Sequence, residues 1–100
     1  MIEKRQGVTE MKSKTKLILD ELQKLFNGKV EAFEFSCYFS RLVFENYDQI
    51  EREYEGLAYY LDQVVPDICA EGEPGFDPTH MIGELKKVYE KALEIINQND

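Results

Sequence analysis

Very few residues in this chain have both the side chains and the neighbours that nucleophilic or metal chemistry needs. The single histidine, His80, lies eleven residues after Cys69 and close in sequence to Asp67 and Asp77, so residue types alone allow a thiol–imidazole pair or a mixed metal set. Spacing speaks against both. There is no CxxC pair, no helical HxxxH, and no Glu-x-x-His signature of a di-iron bundle. The segment DICAEGEPGFD contains glycine but lacks the alternating Asp/Asn ligands and closing Glu of a calcium loop. Glycine-rich phosphate-binding patterns are missing too. His80 therefore reads as a solvated or helix-capping side chain, and the expectation is a protein that is not an enzyme and holds no metal or cofactor.

What the chain does have is carboxylate. Residues 31–77 contain twelve (Glu31, Glu34, Glu45, Asp48, Glu51, Glu53, Glu55, Asp62, Asp67, Glu71, Glu73, Asp77) against two arginines, Arg41 and Arg52, a net charge of −10. The other 53 residues, with eight acids and ten bases, carry +2. Charge gathered this way raises the local potential and steers a cationic partner into contact. It disfavours direct binding to nucleic acid or to an anionic membrane, both of which need lysine and arginine.

The adjacent tyrosines Tyr59 and Tyr60 add apolar area to this acidic half. Neighbouring residues on a helix diverge by about 100°, so both rings cannot face one core and at least one should reach the surface. Tyrosine gives large contact area at low entropic cost and is common at binding hot spots. With Glu55, Asp62, Asp67, Glu71, Glu73 and Asp77 around them, Tyr59 and Tyr60 form the expected partner-binding set. A plainer alternative is an acidic end that only keeps the protein soluble.

These residues must be positioned by helices. One hundred residues with 43% hydrophobic content make one domain with one core. Residues 1–10 show no period and are expected to form a flexible tail, with Met1 or Met11 as the natural start and the domain spanning 11–97. In MKSKTKLILDELQKLF, Thr15, Leu19, Leu22 and Phe26 lie along one helical stripe beside Ile18 and Leu25, and Asn27-Gly28 ends it. The run AFEFSCYFSRLVFEN places Ala32, Phe35, Phe39, Leu42 and Val43 on one face and closes at Asn46. Asp48 is read as the cap of a third helix, with Ile50, Tyr54, Leu57, Leu61, Val64 and Val65 as its seam, ending near Val65 because Pro66 lacks an N–H. A loop of about a dozen residues holds all three prolines, and Asp77-Pro78 starts the last helix as cap and first residue. That helix buries Ile82, Leu85, Tyr89, Ala92 and Ile96, flanked by Met81, Val88 and Ile95. The fold class expected is all-α, an antiparallel four-helix bundle. Cys37 reads as a core or boundary residue and Cys69 as a loop-edge residue. The first twenty residues hold no apolar run of secretion-signal length and no window approaches the ~20 apolar residues of a membrane span, so a cytoplasmic location is expected and a disulfide is not.

The stretch GLAYYLDQVVPDICAEGEPGFDPTHMIGELKKVYEKAL, preceded by NGKVEAFEFSCYFSRLVFEN, resembles the self-protective colicin-D-type immunity proteins of bacteria. The likeness runs over about residues 15–95. It rests on a small-residue turn before a helix beginning VEAFEFSCYF, an acidic aromatic segment with Tyr59, Tyr60, Asp62, Pro66 and Asp67, and an acidic loop before a final amphipathic helix. The resemblance implies a stoichiometric inhibitor; separately, a monomer or weak dimer is expected for the free protein. Its partner would be the cationic nuclease domain of a cognate toxin, typically a tRNase, whose active site it occludes with carboxylates standing where RNA phosphates would lie. The other reading left open by the residues is a helical adaptor or regulatory protein for another basic partner.

Overall fold

In the computed structural model, residues 12–99 are described, and every regular element among them is an α-helix. There are five: α1 (Ser13–Phe26), α2 (Ala32–Glu45), α3 (Tyr47–Glu53), α4 (Leu57–Cys69) and α5 (Thr79–Gln98). The tail expected over residues 1–10, and Met11, lie outside the described residues.

Each helix end has a chemical cause. α1 stops in a Schellman motif: the Lys29 N–H donates to the Lys24 carbonyl at 2.8 Å, the Gly28 N–H to that of Leu25 at 3.1 Å, and Gly28 takes φ of 73°. Glu31 caps α2, its carboxylate accepting from the Phe33 and Glu34 N–H groups. The Asn46 side-chain amide donates to the Leu42 carbonyl at 2.8 Å, so α2 ends on Asn46 and α3 begins at once. α1 has no local side-chain cap; instead Glu53 of α3 reaches across to accept from the Lys14 and Thr15 N–H groups.

The core is a single cluster. Ile18, Leu22 and Leu25 from α1 meet Phe35, Phe39 and Val43 from α2, Ile50 from α3, and Leu57, Leu61 and Val65 from α4. Met81, Leu85, Val88 and Ala92 close it from α5. Phe35 and Phe39 stack with centroids 4.5 Å apart. α4 is the central element, packed against α2, α3 and α5, while α1 rests on α5, α3 and α2.

Several sequence expectations need correction. The single third helix is two: Tyr54 is extended (φ −144°, ψ 109°), Gly56 is left-handed (φ 87°), and the Glu51 carboxylate accepts from the Gly56 N–H at 2.8 Å, fixing the break. Asp48 does not cap α3; Asn46 holds that position and Asp48 lies in the first turn. Pro66 is inside α4, which runs on to Cys69. Pro66 is exposed, so the Asp62 carbonyl that loses its donor lies one turn back on the solvent side, and buried Val65 and Cys69 anchor the last turn. The loop after α4 is shorter than expected. At the start of α5 the register moves by one: Pro78 is the cap residue and the Asp77 carboxylate accepts from the Thr79 N–H and hydroxyl at 3.0 and 2.7 Å. Cys37 is exposed, and Cys69 is buried in a helix. The buried stripe of α1 is Thr15, Ile18, Leu22 and Leu25, with Leu19 and Phe26 at its edge; that of α5 is Met81, Leu85, Val88 and Ala92, with Ile82, Tyr89 and Ile96 beside it.

Candidate protein-binding site

The site grows out of the abrupt α2–α3 junction. Because α3 starts immediately after Asn46, the last turn of α2 (Phe44, Glu45) is set beside the first turn of α3 (Tyr47, Asp48), and α4 packs against both helices. The result is a groove of about 670 Å³ lined by Phe44, Glu45, Asn46, Tyr47, Asp48, Gln49 and Arg52 from α2 and α3, Tyr59, Asp62 and Gln63 from α4, and Lys14 from α1. Two large rings stand out into solvent along it, Phe44 at 70% and Tyr59 at 60% exposure. Tyr47 is half-buried. Burial pushes its hydroxyl up from the ordinary value of 10.0, and the charges of Glu51, Asp62 and Asp48 push the same way.

Of the eight residues expected to bind a partner, Tyr59 and Asp62 share this groove. The others do not. Tyr60 is half-buried and turned toward α5, where burial and then Glu94 raise its hydroxyl pKa. Asp67 is exposed in the last turn of α4; at ~1.5 Å per residue, Cys69 at that helix end lies ~15 Å along the axis from Tyr59. Beyond it, Glu71 pairs with His80 Nδ1 at 2.9 Å, Glu73 is exposed, and Asp77 holds Thr79. Glu55 sits in the α3–α4 turn, with its backbone carbonyl accepting from the Asn99 side chain at 3.3 Å. The expected set thus divides into a groove and a separate acidic loop.

Hydrogen bonding also divides the twelve acids. Five carboxylates work inside the chain: Glu31, Glu51, Glu53, Glu71 and Asp77. The remaining seven (Glu34, Glu45, Asp48, Glu55, Asp62, Asp67, Glu73) make no side-chain hydrogen bond or ion pair among the described residues, and three of them (Glu45, Asp48, Asp62) line the groove. The groove is not uniformly acidic, since Lys14 and Arg52 line it too.

Burial pushes the Cys69 thiol up to about 11, an inert state at neutral pH, while His80 is exposed and held by Glu71. Among the described residues no group of three or more His, Cys, Asp or Glu side chains is placed to hold a metal ion, and no helix is long and apolar enough to cross a membrane. Phe44 was missed as a site residue. Its signal was present: it falls off the Phe35–Phe39–Val43 stripe, and an aromatic ring off the core face of an amphipathic helix has no packing reason to be there. Comparison of the chain with protein-family models, with curated proteins and with solved structures finds no significant match.

Proposed function

We propose that this protein is an immunity-type inhibitor that binds the nuclease domain of a cognate bacterial toxin, a tRNase, and blocks its cationic active site with an acidic surface. In this reading α3 and α4 together form the broken third arm of an antiparallel four-helix bundle, and the protein acts in the cytoplasm as a monomer or weak dimer until it meets the toxin. The observation that carries the proposal is a set of seven carboxylates, on α2 to α4, the α3–α4 turn and the following loop, that make no side-chain hydrogen bond or ion pair among the described residues, three of them lining a groove with two exposed aromatic rings.

The physical sequence is simple. Negative potential accelerates encounter with a basic cleft, an effect screened over ~8 Å at physiological salt. Carboxylates then occupy the positions that substrate phosphates need, and nothing in the inhibitor has to react. The test is to co-express the tagged chain with a nuclease toxin encoded beside it and to measure both co-purification and cell survival. Wild-type protein should co-purify and protect, and charge reversal of Asp62 and Asp67 to Lys should remove protection while leaving the helical circular-dichroism signal intact. Survival equal to cells lacking the protein would refute the proposal.

A further inference from the structure

We infer that Phe44 and Tyr59 are paired aromatic anchors and that the groove between them takes an apolar side chain from an otherwise basic protein partner. This deepens the inhibitor reading and rests on it.

Single exposed apolar residues are ordinary on a monomer surface, but large rings converging on one concavity are not. Phe44 has no polar atom to solvate, is 70% exposed and is not needed by the core, which takes Phe35, Phe39 and Val43 from the same helix. Tyr59 is 60% exposed from the facing helix, while Tyr60, one residue on, is turned inward. Half-buried Tyr47 lines the same groove, which therefore carries three aromatic rings together with Glu45, Asp48 and Asp62. That arrangement matches the anatomy of a protein interface, with aromatic anchors at the centre and polar groups at the rim.

Charge selects the occupant. The groove's own lining holds three acids (Glu45, Asp48, Asp62) against Lys14 and Arg52, but it is set within the 31–77 segment of net −10, so a second copy of this surface would be repelled and a lysine- or arginine-rich surface attracted.

The experiment is calorimetric titration of the adjacent-encoded toxin nuclease domain into wild-type protein, Phe44→Ala, Tyr59→Ala, and a Glu90→Gln control on the exposed face of α5, with sedimentation of each free protein. Both anchor variants should weaken binding by about thirtyfold or more, and the control by less than about twofold. Both rings are exposed, so the variants fold. Wild-type-like binding by both anchor variants would overturn the inference and leave the inhibitor reading standing. No binding by the wild-type protein would overturn both. A concentration-dependent homodimer abolished by Phe44→Ala would make the occupant a second copy and overturn the inference as well.

Discussion

Removing the Glu53 carboxylate should cost this domain more stability than removing any of the groove acids, because Glu53 belongs to the fold. α1 begins at Ser13 with Lys12 in the cap position, no capping side chain and no acid in its first turn. The second and third helical N–H groups, those of Lys14 and Thr15, are satisfied by Glu53 from α3, at 3.1 and 2.8 Å. These are the donors that a local cap residue would satisfy, and losing such a cap costs ~1 kcal/mol, within ~0.5–2. The negative charge at the positive end of the helix adds ~0.3–1 kcal/mol. Glu53→Ala should therefore lose ~1–2.5 kcal/mol, and Glu53→Gln, which keeps an acceptor but not the charge, ~0.3–1 kcal/mol. For a domain of this length the alanine loss corresponds to a Tm lower by roughly 5–15 °C. Urea denaturation should show the order wild type, Gln, Ala, and amide exchange should quicken at Lys14 and Thr15 in the alanine variant. Midpoints for both variants within ~0.3 kcal/mol of wild type would refute the reasoning, as would exchange that quickens everywhere but at α1.

Two glycines should respond in opposite directions. A Cβ added at Gly72 runs into the Ser36 side chain and approaches the Cys69 carbonyl to 3.4 Å, so Gly72→Ala should destabilise by ~1–3 kcal/mol. At Gly83, exposed within α5, an added Cβ meets nothing, and Gly83→Ala should stabilise by ~0.5–1 kcal/mol through helix propensity; thermal melts of the pair check both signs. His80 is held above its ordinary 6.5 by its hydrogen bond to Glu71, so the contribution of this pair to stability is present below pH 6.5 and fades as pH rises through the raised value. Proton NMR titration should show the His80 pKa falling toward 6.5 in Glu71→Gln, and an unchanged value would mean the pair is not formed in solution.

Helix existence was legible in the sequence, and helix continuity was not. Ile50, Tyr54, Leu57 and Leu61 keep a helical rhythm straight through the break at Gly56, because α3 and α4 both turn their apolar sides to one core and the spacing survives a change of direction. Pro66 misled in the other direction. A proline on the solvent side of a helix costs one exposed hydrogen bond, and the burial of Val65 and Cys69 outweighs it. The exposed ring of Tyr59 and the half-buried ring of Tyr60 follow from the 100° between neighbours, which sequence alone supplies. The partner surface was harder, because charge counting treats every acid alike. Only geometry separates Glu53, which caps a helix 38 residues earlier in the chain, from Asp62, which makes no side-chain hydrogen bond or ion pair among the described residues and lines the groove. Phe44 shares the groove with Tyr59 because α2 packs on α4, a juxtaposition that no local pattern encodes.

The central claim, that this chain is a stoichiometric inhibitor and turns nothing over, is tested most directly by titrating it into a fixed concentration of the toxin nuclease domain well above the dissociation constant while following transfer-RNA cleavage. The account predicts activity that falls linearly and vanishes near one equivalent, equally for wild type and His80→Ala, because each molecule occupies one active site and no side chain has to react. Full inhibition at a small fraction of an equivalent, or cleavage undiminished at about tenfold excess, would contradict it.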